Sequence, residues 1–131
     1  MLNQPVILPM DGYHRASCLL VDATRILSGP NSGMIGMIKI NDGVHMPDMS
    51  GPHLCAALKK IRSDLGIFLD LKLGDVSGTL KNIASHYLSP DILTVSSMID
   101  AQGLMELRKV FTFTKLALFS VPTDMSEEKC L

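Results

Sequence analysis

No glycine-rich nucleotide loop occurs in this 131-residue sequence. Neither GxGxxG nor GxxxxGK[ST] follows any of its apolar runs, so the usual phosphate-cradling motifs of nucleotide folds are absent. Cysteine is scarce and odd in number: Cys18, Cys55 and Cys130, with no CxxC pair. That argues against a disulfide framework or a zinc site and for a reducing interior. Cys18 and Cys55 are expected to behave as small hydrophobes in helix cores. His14, His45, His53 and His86 share no metal-ligand spacing and read as surface or loop residues. No apolar run approaches the roughly 18 residues of a membrane span. The start, MLNQPVILPMDG, lacks the basic opening and long apolar stretch of a signal peptide. Excess charge is missing too. The formal net charge is −1 and no basic patch stands out, which gives no reason to expect nucleic acid or an acidic membrane as partner. The expectation is a soluble cytoplasmic protein.

What the sequence does have is hydrophobic residues, 47% against 19% charged, enough for one domain with its own core. Short apolar runs alternate with helical patterns. Strands are predicted over 5–10, 33–41, 66–73, 91–97 and 115–121. Helices are predicted over 14–27, over the stretch from Ser50 to Gly66, over 77–88 and over 101–111. In the first helix Leu19, Leu20, Ala23 and Leu27 share a face. In the second, Ser50 is a candidate N-cap, Pro52 suits the first turn and Gly66 is a natural stop. The tail from Pro122 reads as a loop entering a further helix. Strands alternating with helices imply right-handed crossovers and a parallel sheet, either an open doubly wound sheet or part of a (β/α)₈ barrel.

One strand breaks the apolar pattern. FLDLKLGDVSGT, residues 68–79, places Asp70, Lys72 and Asp75 in an otherwise aliphatic run, and charge is costly to bury unless paired. Alternation along the strand puts Phe68, Asp70 and Lys72 on one side and Ile67, Leu69, Leu71 and Leu73 on the other. The aliphatic side suits covering helices. The charged side then faces the sheet axis at the C-terminal strand end, where parallel α/β folds build their sites. Asp11, Lys39 and Ser96 stand at or near other strand ends, and Thr123 and Ser126 follow the fifth, so polar groups are expected to converge on one rim. The simpler alternative is that Asp70 and Lys72 form a structural ion pair.

These residues resemble the orotidine 5′-monophosphate decarboxylase family. FLDLKLGDVSGT resembles its D-x-K-x-x-D signature. PVILPMD resembles the first strand with its substrate-binding aspartate, MIKIN the second strand with its catalytic lysine, and TDMS at 123–126 the segment whose serine contacts the pyrimidine. The resemblance implies a partial TIM barrel, a single domain over 1–131 lacking the last three β/α units. It implies conversion of OMP to UMP and carbon dioxide in pyrimidine biosynthesis, with no cofactor. By that resemblance Asp11 holds the ribose or base region, Lys39 contacts the ribose hydroxyls and joins the charge network, and Asp70 lies beside the substrate carboxylate. Lys72 delivers a proton to C6. Asp75 reaches into the neighbouring site of a homodimer with Thr79 helping, and Ser126 bonds the pyrimidine edge.

The sequence departs from the family pattern at Ser77, where a proline is usual, and at Ser96–Ser97, where a histidine is common. It also stops after the fifth strand, short of the segments that usually grip phosphate. Two other readings follow. One is a sister sugar-phosphate enzyme, such as a 3-hexulose-phosphate synthase or a keto-gulonate-phosphate decarboxylase, which needs a divalent metal on carboxylates. The other is a non-catalytic half-barrel binding module.

Overall fold

A computed structural model defines the fold and describes residues 6–41, 46–74 and 90–120. Five strands form one sheet: β1 (Val6–Pro9), β2 (Ile35–Ile40), β3 (Gly66–Leu73), β4 (Ile92–Ser96) and β5 (Lys115–Phe119). Three α-helices are described, α1 (Ala16–Leu27), α2 (Gly51–Ile61) and α3 (Ala101–Val110), and a short 3₁₀ turn (Ser32–Met34) leads into β2. Every neighbouring pair of strands is parallel, and the sheet order is β1-β2-β3-β4-β5. A doubly wound sheet reverses its strand order at a switch point. No reversal occurs here, so of the two architectures implied by the alternation the structure is a partial α/β barrel.

Alternation along the strands explains which side the helices cover. Ile38 and Ile40 of β2, Ile67 and Leu69 of β3, and Leu93 and Val95 of β4 belong to one buried cluster with Leu19, Leu54, Leu58, Leu107 and Phe111. The residues between them, Lys39, Phe68, Asp70 and Thr94, take the other side. A fully buried Leu or Ile contributes about 1.5–3 kcal/mol, and a one-residue slip would exchange this whole set for its polar neighbours. The aliphatic side therefore fixes register, and register fixes where the charges stand. At the start of β3 the Met37 side chain packs over Gly66: a Cβ there would lie 2.6 Å from Met37 Cγ, so a larger residue would displace that side chain.

The helix ends differ from the sequence expectation for identifiable reasons. Helix α1 begins at Ala16, not at residue 14, because its first amides are capped from a distant loop. Asp48 accepts hydrogen bonds from the N–H of Ala16 (2.8 Å) and Ser17 (3.1 Å) and from the Ser17 hydroxyl (2.9 Å). Those bonds hold the Asp48 carboxyl down at about 2. Ser50 stands at the N-cap position of α2 but makes no side-chain cap bond; its hydroxyl is 2.7 Å from His53 Nδ1. Helix α2 ends at Ile61, short of Gly66, which belongs to β3. Arg62 turns out of the helix to donate to the carbonyls of Ser32 and Ile35. In α3 Asp100 caps the N-terminus, accepting from Gly103 N–H at 2.6 Å.

Cys55 is buried, and burial pushes its thiol up to about 11. Cys18 is exposed, contrary to the helix-core expectation: it falls beside the buried stripe of Ala16, Leu19, Ala23 and Leu27. Leu20 is only partly buried, while His14 and His53 lie at the surface. The helix expected over 77–88, the tail after Pro122, His45, His86 and Cys130 lie outside the described residues. Among the described residues no helix is long and apolar enough to cross a membrane.

Candidate active site

Three consecutive strands bring four charges together at their C-terminal ends. Asp11 follows β1, Lys39 is the penultimate residue of β2, and Asp70 and Lys72 lie in the second half of β3. Lys39 Nζ is 2.9 Å from Asp11 Oδ2 and 3.2 Å from Asp70 Oδ2. Lys72 Nζ is 3.0 Å from Asp70 Oδ1. The order is carboxylate, ammonium, carboxylate, ammonium, and each oxygen of Asp70 faces a different lysine.

The environments of the two ends differ. The Asp70 side chain is 14% exposed, whereas that of Lys72 is 43% exposed. Burial pushes the Asp70 carboxyl up, but hydrogen bonds from Lys72, Thr94 and Lys39 outweigh it and hold the group below the usual carboxylate value. Its hydrogen bond to Asp11 raises Lys39 above the ordinary lysine range; burial opposes this, and the bond to Asp70 adds to it. Asp70 is thus an anion and Lys39 a cation at neutral pH. Lys72 carries the more exposed of the two amines. Its Nζ also lies over the Phe119 ring, 5.3 Å from the centroid, a cation–π distance.

The backbone of β3 is irregular where it carries these groups. Leu69 pairs with Leu93, yet Leu73 pairs with Val95, so β3 holds two more residues than β4 across this interval. Lys72 has φ of 50°, the only non-glycine residue in the left-handed region among the described residues. Such a conformation costs a lysine about 1–2 kcal/mol relative to the right-handed region. Bulges of this kind re-aim side chains and recur beside functional sites.

Of the residues singled out from the sequence, the structure brings Asp11, Lys39, Asp70 and Lys72 together. Ser96 stays apart from them: its hydroxyl accepts from the Met98 N–H at 3.1 Å, and its Cβ lies where a side chain on Gly74 would clash. Asp75, Thr79, Thr123 and Ser126 lie outside the described residues. Sequence reasoning missed Thr94 and Phe119. Period-two alternation places Thr94 on the charged side of β4, a signal that was available; nothing local marks Phe119. Among the described residues no three His, Cys, Asp or Glu side chains are grouped to hold a metal ion.

No protein-family model and no curated protein matches the sequence. Solved structures do match. Orotidine 5′-phosphate decarboxylase from Lactobacillus acidophilus superposes with a TM-score of 0.71 at 22% identity, covering 96% of this chain and 57% of that one. The inhibitor-bound enzyme from Methanocaldococcus jannaschii gives 0.70 at 17% identity, covering 87% and 50%. The Pyrococcus horikoshii enzyme gives 0.64 at 19% identity, covering 86% and 50%. The fold of this chain is therefore that of the orotidine 5′-phosphate decarboxylases, and the chain spans about half the length of the solved structures that share it.

Proposed function

We propose that this chain belongs to the orotidine 5′-monophosphate decarboxylase family and carries the charged centre that converts OMP to UMP and carbon dioxide. The observation that supports this best is the Asp70 carboxylate held between Lys39 and Lys72 at the C-terminal rim of a parallel sheet. Lysine–carboxylate pairs fixed before a substrate arrives cost no reorganisation during reaction.

The role assigned to each residue is the one the resemblance implies, and the charges found at Lys39, Asp70 and Lys72 are compatible with it. Asp70, an anion, is assigned to oppose the substrate carboxylate. As the bond from C6 to that carboxylate breaks, carbon dioxide leaves and the electron pair stays on C6. Lys72 opposes the developing negative charge and gives C6 a proton from its ammonium, becoming a neutral amine until it is reprotonated. Lys39 holds Asp70 and Asp11 in place and offers its ammonium to the ribose hydroxyls; Asp11 binds the ribose or base region. Ser126 is assigned to the pyrimidine edge. Asp75 and Thr79 are assigned to the neighbouring site of a homodimer. No metal or organic cofactor enters these steps.

The sugar-phosphate reading is less well supported. It requires carboxylates free to hold a divalent cation, and here the Lys39 ammonium stands between those of Asp11 and Asp70. The test is release of the carboxylate from OMP by the full chain, compared with Lys72→Ala. Loss of the proton donor is expected to lower kcat by about 10²–10⁴-fold. Equal rates for the two proteins would remove the catalytic assignment.

A further inference from the structure

Thr94 occupies the interval where the β3–β4 ladder is irregular. It is 8% exposed, and it makes two hydrogen bonds there. Its Oγ1 accepts from the Lys72 N–H at 2.9 Å and donates to Asp70 Oδ1 at 2.9 Å. The directions are forced. A backbone N–H only donates, an ionised carboxylate only accepts, and a hydroxyl has a single proton to give. The Thr94 hydroxyl therefore joins the lysine's backbone to the aspartate's carboxylate.

We infer that Thr94 is a positioning residue for the Asp70–Lys72 pair: its hydroxyl holds the β3 bulge at Lys72 and fixes the plane of the Asp70 carboxylate so that each oxygen meets one lysine. The geometry supports both halves. The Lys72 amide, which has left the regular ladder, finds its acceptor on Thr94 while Lys72 keeps a left-handed φ of 50°. The same Asp70 oxygen that receives the Thr94 proton receives the Lys72 ammonium, leaving Oδ2 for Lys39. A rotation of the carboxylate would break all three contacts together. Removing the hydroxyl leaves the Lys72 amide without its acceptor and frees the carboxylate to turn, so the ammonium loses its set place.

The effect on turnover rests on the proposed decarboxylation, but the effect on the pair does not. The full chain is compared with Thr94→Val, Thr94→Ala and Thr94→Ser. Exchange of the Lys72 amide is followed by NMR, and the Asp70 carboxyl is titrated with a ¹³C label, both without any ligand. In the Val and Ala variants the Lys72 amide is expected to exchange at least about tenfold faster, and Asp70 to titrate at higher pH. The Ser variant is expected to restore both. With OMP as substrate, kcat is expected to fall about 10–100-fold in the Val and Ala variants while KM changes little, as when a group is misplaced rather than removed.

Unchanged amide exchange and Asp70 titration in a folded Val or Ala variant overturns the inference. So does a Ser variant as impaired as they are, or a failure of both Val and Ala to fold while Ser folds, which assigns the hydroxyl to stability alone. A wild-type chain that leaves OMP untouched removes the decarboxylase reading; the amide and carboxyl measurements still decide the role of Thr94.

Discussion

The two sides of the sheet are made by the same strands and differ by one residue of phase. On the helix side Ile38, Leu69, Leu93 and Val95 sit at 3% exposure or less and touch hydrocarbon. One step along each strand, Lys39, Asp70 and Thr94 carry charge and hydrogen bonds. The first side supplies most of the folding free energy; the second spends some of it, on partly buried charge and a left-handed lysine. A fold that fixes its register with one face can hold an expensive arrangement on the other without losing its alignment.

Substitutions on the two sides should therefore separate stability from site geometry. The largest effect is expected from Leu93→Ala on the helix side, a loss of about 2–5 kcal/mol in urea unfolding, with the Asp70 titration unchanged in the protein that remains folded. If Asp70 moved as well, the two sides would not be independent. On the charged side Asp70→Asn should cost about 1 kcal/mol or less, because both lysines reach water. It should also let the Lys39 ammonium fall back toward the ordinary lysine value, which ¹⁵N or ¹³C titration of that side chain would detect.

A smaller contrast isolates the backbone. Lys72→Gly and Lys72→Ala both remove the ammonium, but only glycine takes the left-handed conformation freely. The Gly variant should be the more stable by about 1 kcal/mol, read from denaturation midpoints. Equal stability would mean that the bulge relaxes when the lysine is lost. The mildest effect lies away from the site, at the start of α1. The Asp48 carboxyl is held at about 2 in place of its usual 3.8, so its contribution is fully present above that usual value. It is lost as pH falls through about 2. Asp48→Asn should flatten the stability–pH curve between those values, lowering stability at neutral pH and leaving the most acid region, where the carboxyl is protonated in either state, nearly unchanged.

Much of this was legible beforehand, and for a physical reason. Period-two alternation decides which residues share a side of a strand, so Asp70 and Lys72 could be assigned to the opposite side from Leu69 and Leu71 without coordinates. Lys39 and Asp11 could be assigned to the same rim once the sheet was read as parallel. Alternation does not reveal contacts between strands. The Thr94 bonds depend on a register shift between β3 and β4, and the Phe119 contact depends on the position of β5. The Asp48 cap joins residues 31 and 32 positions apart, beyond the reach of any local capping signal. Cys18 was misassigned because one residue of phase on a helix turns a side chain from the core to water.

The pairing of Lys39 with two carboxylates and of Asp70 with two ammoniums has a long-range consequence. Two positive and two negative charges in alternation leave no net monopole, so their combined potential decays faster with distance than that of a lone ion. Free salt attenuates what remains beyond about 8 Å at physiological ionic strength. An anion beside these four residues would thus feel them at contact, while they would do little to draw it in from bulk solution. Capture rates measured across a salt series should owe almost nothing to them, while the grip once bound should owe a great deal.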